Sequence, residues 1–258
     1  MCYQISFNES LDAIYESLPE LDPEEGLDID LEPMVFESGF TFPKHPILVK
    51  EEKEIKVKVF HWGMIAEYMK AVTIDGADKK VLDNQRRKLL LTRAERVIED
   101  HHSVWYGKRQ KRVLIPATGF FEYRELAGFK NKIPYYIHLK DRPLFFLPGL
   151  YNYSHIPNKD GELIGTFSLI IRAANSVMRQ IHNSGDHPFR MPLMLTKELE
   201  QKWLQPNLSD EAIQSILDFE MPSNELAYWP VKSLYRADPF DKELIKPFVY
   251  EGLEAQIE

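Results

Sequence analysis

The second residue of the chain, Cys2, is its only cysteine. A residue this small permits removal of Met1, which would leave a free α-amine and a thiol on the same residue. The amine has a pKa of roughly 7.7–8.0 and the thiol of roughly 8.5, so each is partly reactive at neutral pH. Such a group attacks acyl carbons through sulfur, or condenses with an aldehyde to an imine that the thiol closes to a thiazolidine. Cys2 is therefore the first candidate catalytic residue.

Two further residues could move protons. Glu122 lies among aromatic residues in the segment Gly119–Tyr123, and burial among rings raises a carboxyl pKa toward the range useful for proton transfer. His182 follows a short helical turn and precedes the loop Ser184–Phe189, which carries the weaker candidate His187. Taken alone, Glu122 also fits a solvent-facing strand residue, and His182 a capping or surface residue.

Strands and helices must bring these residues together. The predicted strands are Ile55–Trp62, Arg112–Tyr123 with a corner in its middle, Pro134–Leu139, Pro143–Tyr151 and Gly165–Arg172. The predicted helices are Lys79–Ile98 with a continuation over Ala94–Trp105, Leu195–Leu204 capped by Thr196, and Ser209–Phe219 capped by Ser209. We predict an α+β fold because the strands do not alternate strictly with helices. Residues 1–258 would form one domain on a curved, largely antiparallel sheet or barrel-like core flanked by helices, with an acidic surface excursion at about residues 16–40.

Composition narrows the class of protein. A chain of 258 residues with 44% hydrophobic side chains can bury a full core. A single cysteine excludes intrachain disulfides and zinc sites built on paired thiolates. The sequence has no secretory signal pattern and no stretch long enough to cross a bilayer. We expect a soluble cytoplasmic monomer without metal or cofactor.

Charge is unevenly distributed along the chain. The net charge is −8, but residues 1–40 hold eleven acidic side chains and no Lys or Arg. The stretch Arg86–Arg112 has nine basic residues against three acidic ones. This cluster could follow a phosphate backbone, although charge alone favours a solvated helix face.

Several segments occur in the order of a known family. They are Met1-Cys2, Trp62–Ile65, Arg93–Glu95, Arg112–Tyr123, Pro134–Tyr136, Gly149–Tyr151, and Ile181–Asn183 followed by Arg190–Pro192. They resemble the segments of the SRAP family, the abasic-site processing proteins that crosslink to single-stranded DNA. Four of them are similar to its WGL(I), NARAE, RCLVPADGFYEW and IHDRMP segments, the last with a six-residue insertion. The resemblance runs through almost the whole chain.

The resemblance implies a covalent reaction with the aldehyde of an abasic site. His182 would act as acid and base in opening the deoxyribose, and the Cys2 amine would attack the aldehyde. Glu122 would manage the proton on the amine and carbinolamine, and the Cys2 thiol would close a thiazolidine that shields the lesion. The family also reverses this link slowly, which gives it lyase and autopeptidase character.

The resemblance also implies a DNA-binding surface. Arg93 and Arg190 would pair with backbone phosphates. Tyr68 stands in place of a family tryptophan and, with Trp62, would stack on bases or wedge a kinked strand. For Trp62, a position in the core is at least as well supported. The expected partner is single-stranded DNA that contains an abasic site.

This chain departs from the family at two positions near the expected site. Leu91 replaces the asparagine of NARAE, whose amide orients the nucleophile and binds in the abasic-site pocket. Asn84 lies seven residues earlier, two turns away if the stretch is helical, and is the candidate substitute. Gln4 replaces a basic residue that contacts DNA. We therefore expect either slower crosslinking than in the family or a changed substrate.

Two other classes of function stay open. N-terminal nucleophile amidohydrolases also begin Met-Cys, although Gly-Ile usually follows where this chain has Tyr3-Gln4. A binder of single-stranded DNA that lost turnover with the asparagine is the other alternative. An adduct with an abasic oligonucleotide, glutamine hydrolysis, or binding alone would separate the three.

Overall fold

Strands make up most of the regular structure. The computed structural model describes residues 2–18, 21, 31–52, 54–253 and 257. Its strands are β1 Gln4–Phe7, β2 Met34–Ser38, β3 Lys44–Glu51, β4 Glu54–Trp62, β5 Leu91–Arg93, β6 Arg112–Ala117, β7 Gly119–Arg124, β8 Ile133–Leu139, β9 Phe145–Tyr153, β10 Gly165–Ala173, β11 Arg190–Pro192 and β12 Leu226–Pro230. Its α-helices are α1 Leu11–Ser17, α2 Lys79–Arg86, α3 Ser176–Ile181, α4 Lys197–Trp203 and α5 Asp210–Leu217.

The strands form two sheets. One has the order β12-β8-β7-β1-β2, and the other has the order β11-β10-β4-β3-β6-β9. In the second sheet β9 also pairs with β10, so the sheet curls back on itself. Most neighbours are antiparallel, while β10 pairs in parallel with β4 and β5. The predicted α+β, largely antiparallel and barrel-like fold is confirmed, with two sheets where one was expected.

The main hydrophobic core contains side chains from both sheets. Ile5, Phe120 and Ile137 come from the five-stranded sheet, and Leu147 and Phe167 come from the other. Each of these side chains is at most 1% exposed. Burial of a large apolar side chain stabilises the fold by about 1.5–3 kcal/mol, so this core is the main reason that the two sheets stay together.

The two predicted C-terminal helices are confirmed together with their caps. The Thr196 hydroxyl accepts a hydrogen bond from the Leu199 backbone nitrogen at the start of α4. The Ser209 hydroxyl accepts one from the Ala212 nitrogen at the start of α5. Each cap satisfies a backbone donor that has no partner within its own helix.

The prediction of one long helix over Lys79–Ile98 is wrong. The helix α2 ends at Arg86, and Leu91–Arg93 form β5, which pairs in parallel with β10. The continuation over Ala94–Trp105 is also wrong, because that stretch consists of turns and a short 3₁₀ helix. Pairing with a buried strand outweighs a helical pattern of charges, since local propensity is weak against tertiary contacts.

The acidic stretch at residues 16–40 is not a surface excursion over its whole length. Its last part is β2, which pairs with β1 at Gln4↔Ser38. In this strand Glu37 is buried, and its Oε2 atom lies 2.6 Å from Nδ1 of the buried His45. Residues 19, 20 and 22–30 lie outside the described part of the chain.

Neither a membrane span nor a metal site is found in the part of the chain that the structure describes. None of its helices is long and apolar enough to cross a membrane. No group of three or more His, Cys, Asp and Glu side chains in the described ranges is arranged to hold a metal ion.

Candidate active site

The five-stranded sheet places the start of the chain beside Glu122. The strand β1 lies between β7 and β2, with the register Ile5↔Phe120 and Ser6↔Gly119. Antiparallel pairing therefore brings the residues before Ile5 next to the residues after Phe120. Gly119 is required at the corner before β7, because a Cβ atom there would lie 2.3 Å from the ring of Tyr136.

Cys2 is completely buried and contacts Glu122. The side chain of Glu122 is buried beside it and is 1% exposed. Burial raises the pKa of the thiol well above its ordinary value, and the negative charge of Glu122 acts in the same direction. The thiol is thus protonated at neutral pH and becomes a nucleophile only when a base removes its proton.

His182 is the third residue of the buried cluster. Its Nε2 atom lies 3.9 Å from Oε2 of Glu122, and the imidazole is 4% exposed. Burial lowers the pKa of His182, while the charge of Glu122 opposes this shift, so the ring is neutral at neutral pH. Cys2, Glu122 and His182 therefore share one buried cluster, although 60 and 120 residues separate them in sequence.

The backbone of Arg190 holds the other ring nitrogen of His182. Both the backbone nitrogen and the carbonyl oxygen of Arg190 lie 3.1 Å from Nδ1. The nitrogen donates to Nδ1 in one tautomer, and the oxygen accepts from Nδ1–H in the other. Either tautomer thus keeps a hydrogen bond, and Nε2 can face Glu122 as a donor or as an acceptor.

A side-chain clamp joins the segment after Glu122 to the segment after His182. The Asn183 carboxamide accepts from the Glu125 backbone nitrogen and donates to the Glu125 carbonyl, both at 2.9 Å. These two hydrogen bonds imitate a strand pair across 58 residues of sequence. The clamp holds the segment that follows Glu122 at a fixed distance from the segment that follows His182.

A groove of about 570 Å³ lies next to this cluster. Tyr3, the residue after Cys2, lines this groove. Burial raises the pKa of Tyr3, nearby Cys2 and Glu122 act in the same direction, and nearby Arg93 lowers it. Arg93 and the 59% exposed Tyr68 line the same groove. These two predicted DNA-binding residues thus lie on one surface with Tyr3, the residue that follows Cys2.

The basic stretch Arg86–Arg112 divides into two groups. Four of its residues line the groove, namely Arg87, Lys88, Arg93 and Arg96. Two further residues of the stretch, Arg86 and Arg112, are buried and structural. Arg86 donates to the carbonyls of Trp62 and Gly63. Arg112 donates to the carbonyl of Trp203. Burial lowers the pKa of each of these two guanidinium groups to about 10. Only part of the local positive charge therefore faces the groove.

Arg190 and Asn84 lie elsewhere than the sequence suggested. Arg190 does not line the groove, because its guanidinium forms a two-point pair with Glu95. Asn84 is exposed on α2, and the helix ends before Leu91. Asn84 therefore cannot stand in for the missing asparagine, and Leu91 itself lines the groove.

The stacking role suggested for Trp62 is wrong. Its ring is 0% exposed, and its indole nitrogen donates to the Leu90 carbonyl at 2.8 Å. The indole stacks on Phe167 in the core, with 6.0 Å between ring centroids. The ring has no face left for a base, so the core position is the correct one.

Two residues of the site were missed in the sequence. Tyr3 packs against the 43% exposed Phe40 with the rings tilted by 45° and their centroids 4.6 Å apart, and it lines the groove. Its position directly after Cys2 was a signal that could have identified it. Asn183 directly follows His182, and nothing in the sequence indicates its contact with Glu125.

The fold and this cluster define a class of protein, and comparisons with known proteins agree with it. The profile of the family described as SOS response associated peptidase (SRAP) matches residues 1–236. The chain belongs to the SRAP family.

Among its relatives are two proteins of Bacillus subtilis (strain 168). The abasic site processing protein YoqW is 30% identical over 188 residues, which are 72% of this chain and 74% of that protein. The abasic site processing protein YoaM is 29% identical over 72% of this chain and 73% of its own length.

Solved structures have the same fold. A crystal structure of a protein from Bacteroides thetaiotaomicron superposes with a TM-score of 0.80 at 28% identity, covering 96% of this chain and 100% of that one. A protein from Bordetella bronchiseptica has a TM-score of 0.70 at 16% identity, covering 90% of this chain and all of that one, and supports the fold alone.

Proposed function

We propose that this protein, after removal of Met1, captures abasic sites in single-stranded DNA as a thiazolidine on Cys2. The observation that supports this most strongly is the burial of Cys2 beside Glu122, with His182 Nε2 3.9 Å from the same carboxylate. The relatives named as abasic site processing proteins point to the same class of substrate.

The first stage is attack of the Cys2 amine on the open-chain aldehyde of the lesion. A C–N bond forms, the carbonyl oxygen takes up a proton, and the carbinolamine then loses water to give an imine. Glu122 is the group beside Cys2 that can accept the amine proton. No co-reactant is needed, and one water is released.

The second stage is addition of the Cys2 sulfur to the imine carbon. A C–S bond forms, the thiol proton passes to Glu122, and the nitrogen is protonated as the five-membered ring closes. The raised pKa of the thiol keeps it protonated until this step, because an anionic sulfur beside Glu122 is disfavoured. The free protein therefore carries a protected nucleophile.

His182 acts on the sugar oxygen. The closed hemiacetal opens when one group removes the proton of its hydroxyl and another protonates the ring oxygen. A neutral imidazole whose Nδ1 finds a partner in either tautomer can do both in turn. The same groups run in reverse account for slow self-reversal of the link.

The groove beside Tyr3 binds the DNA strand. It is lined by four cationic side chains, and none of the described residues that line it is acidic. Exposed Tyr68 offers a ring on which an unpaired base stacks. A single strand fits these features, since its bases are free to stack.

Mass spectrometry of the protein incubated with an abasic oligonucleotide tests the proposal. Wild type should form a heat-stable adduct lighter than the sum of its parts by one water, and none with intact DNA. Cys2→Ala should form an imine that survives only after borohydride treatment. Glu122→Gln and His182→Gln should slow the adduct by roughly 10²–10⁴-fold.

Three outcomes would contradict the proposal. A Cys2→Ala protein that gives the same borohydride-independent adduct would exclude the thiazolidine. Glutamine hydrolysis without an adduct would indicate an N-terminal nucleophile amidohydrolase. Binding of single-stranded DNA with neither reaction would indicate a binder without turnover. Protein that retains Met1 is the matched control, because its Cys2 nitrogen is an amide and cannot form the ring.

A further inference from the structure

A second groove, of about 920 Å³, is lined by residues close in sequence to Cys2 and Glu122. Gln4 and Tyr123 line its end next to the buried cluster, and the Tyr123 hydroxyl donates to Oε1 of Gln4 at 2.8 Å. Gln4 lies two residues after Cys2, and Tyr123 follows Glu122 directly. We call this the Tyr235 groove, after the most exposed aromatic residue on its wall.

The walls of the Tyr235 groove carry positive charge. Lys130, Lys132 and Arg236 line it, and no acidic side chain is among the described residues on its surface. Lys132 is drawn toward Glu125 by an ion pair of 3.6 Å, while Lys130 and Arg236 form no ion pair within the described part of the chain. The groove thus complements an anionic chain.

Aromatic rings accompany these cations. Tyr235 is 78% exposed, and the guanidinium of Arg236 lies 5.2 Å from its ring centroid. Arg236 has a φ of 56°, a left-handed conformation that is uncommon for a residue other than glycine. Such strained positions cluster where a side chain must be presented to a ligand.

One wall comes from residues beyond the span matched to the family, which ends at residue 236. Tyr250 lines the groove, and its ring meets Phe129 edge to face at 6.4 Å. This wall is fixed to the sheet, because the Tyr250 hydroxyl donates to the Val231 carbonyl and the Phe248 nitrogen donates to the Pro230 carbonyl, both at 2.8 Å. The C-terminal segment therefore adds a ring to a groove that starts at the site.

We propose that the Tyr235 groove binds the single-stranded DNA flank on one side of the abasic nucleotide, while the groove beside Tyr3 holds the other flank. This inference rests on the proposed function. It follows from two cationic grooves that begin at consecutive residues, one at Tyr3 and the other at Gln4, directly after Cys2. The exposed rings select an unpaired flank, because bases within a duplex have no free face for stacking.

Binding of oligonucleotides with a stable abasic analogue that lacks the aldehyde tests the groove without the covalent step. One oligonucleotide carries long flanks on both sides, and two others are each truncated on one side. The variants are Tyr235→Ala and Arg236→Gln, both at exposed positions, so the fold should be unaffected. Lys232→Ala is the matched control, because Lys232 is exposed in the same segment but does not line the groove.

Wild type should lose at least about tenfold in affinity when one particular flank is removed, consistent with the stacking and phosphate contacts of a few nucleotides. The double variant Tyr235→Ala with Arg236→Gln should bind the long oligonucleotide with an affinity lower than that of wild type by the same factor. Truncation of the flank should not lower the affinity of this variant further. Lys232→Ala should behave like wild type.

Equal affinity of the double variant and wild type for the long oligonucleotide would overturn the proposal, as would an undiminished effect of truncation in the variant. Tighter binding when that flank is paired with its complement would also overturn the proposal, because it would show that the groove binds duplex DNA. An adduct with a true abasic site tests the chemistry separately. Flank-dependent binding without any adduct would contradict the proposed function and leave the groove assignment standing.

Discussion

The guanidinium of Arg190 and the carboxylate of Glu95 form a two-point pair, with nitrogen–oxygen distances of 3.0 and 2.6 Å. The pair connects the turn after β5 to β11, whose Arg190 backbone also holds the ring of His182. Partial burial opposes ionisation of Glu95, but the hydrogen bonds from Arg190 outweigh it and lower the pKa of the carboxyl. Arg190 is therefore already paired with Glu95 in the protein without DNA.

Glu95→Gln should release this charge for a phosphate. Because Glu95 is 40% exposed, loss of the pair should lower the free energy of unfolding by less than about 1 kcal/mol. One more phosphate contact should steepen the slope of log affinity against log salt by about 0.7 for a single strand. Fluorescence anisotropy over a salt series measures this slope. Glu99→Gln at an exposed site is the control, and equal slopes in both variants would show that Arg190 does not reach the DNA.

Asn183→Ala should loosen the connection between Glu122 and His182. It removes both hydrogen bonds to the Glu125 backbone, a change worth about 1 kcal/mol in the free energy of unfolding. Adduct formation with an abasic oligonucleotide should slow by more than this stability change explains, because the reacting groups lose their fixed separation. Ser184→Ala in the same loop is the control. A normal rate in Asn183→Ala would mean that the clamp serves stability alone.

The lowered pKa of His182 should appear in the pH dependence of stability. Burial disfavours the imidazolium in the folded state, whereas the unfolded chain takes up a proton near pH 6.5. The contribution of the neutral His182 ring to the free energy of unfolding is fully present above about pH 6.5. It is lost as the pH falls through the lower folded-state pKa. Urea unfolding of wild type and His182→Gln at pH 7.5 and pH 5.5 measures it. Wild type should lose more stability than the variant on acidification, and an equal loss in both would contradict the neutral, buried ring.

Leu91→Asn should supply the amide that the resemblance to the NARAE segment implies at this position. Leu91 lines the groove beside Arg93 and pairs with Leu169 in the sheet, so an amide there would face the incoming lesion. We expect faster adduct formation, with a loss of about 1–2 kcal/mol in stability from the half-buried leucine. Leu91→Ala separates the two effects, because it removes the leucine without adding an amide. Acceleration in Leu91→Ala as well would show that space, and not the amide, limits the rate.

Much of the fold could be predicted because its signals are local. Alternating residues mark the strand Ile55–Trp62, which the structure extends by only one residue, to Glu54. The hydroxyls of Thr196 and Ser209 cap the helices expected after them. These features depend on residues a few positions apart, and no distant contact overrides them.

The errors arise where distant contacts decide. Leu91–Arg93 have a helical pattern of neighbours, yet hydrogen bonds to β10 draw them into a strand. Arg86 and Arg112 counted as surface charge in the sequence, but backbone carbonyls from distant segments bind their guanidinium groups in the interior. A charge count cannot distinguish such residues from Arg87, which lines the groove.

The strand that follows Cys2 is hydrogen-bonded on both sides, by β7 and by β2. A DNA strand bonded to Cys2 would therefore pull on an interior strand of the sheet and not on a loose tail. An enzyme that travels along the DNA would have to break two ladders of hydrogen bonds to peel the protein from the lesion. In the proposed adduct, the anchorage of β1 would make the protein a mechanical obstacle on the DNA as well as a chemical shield.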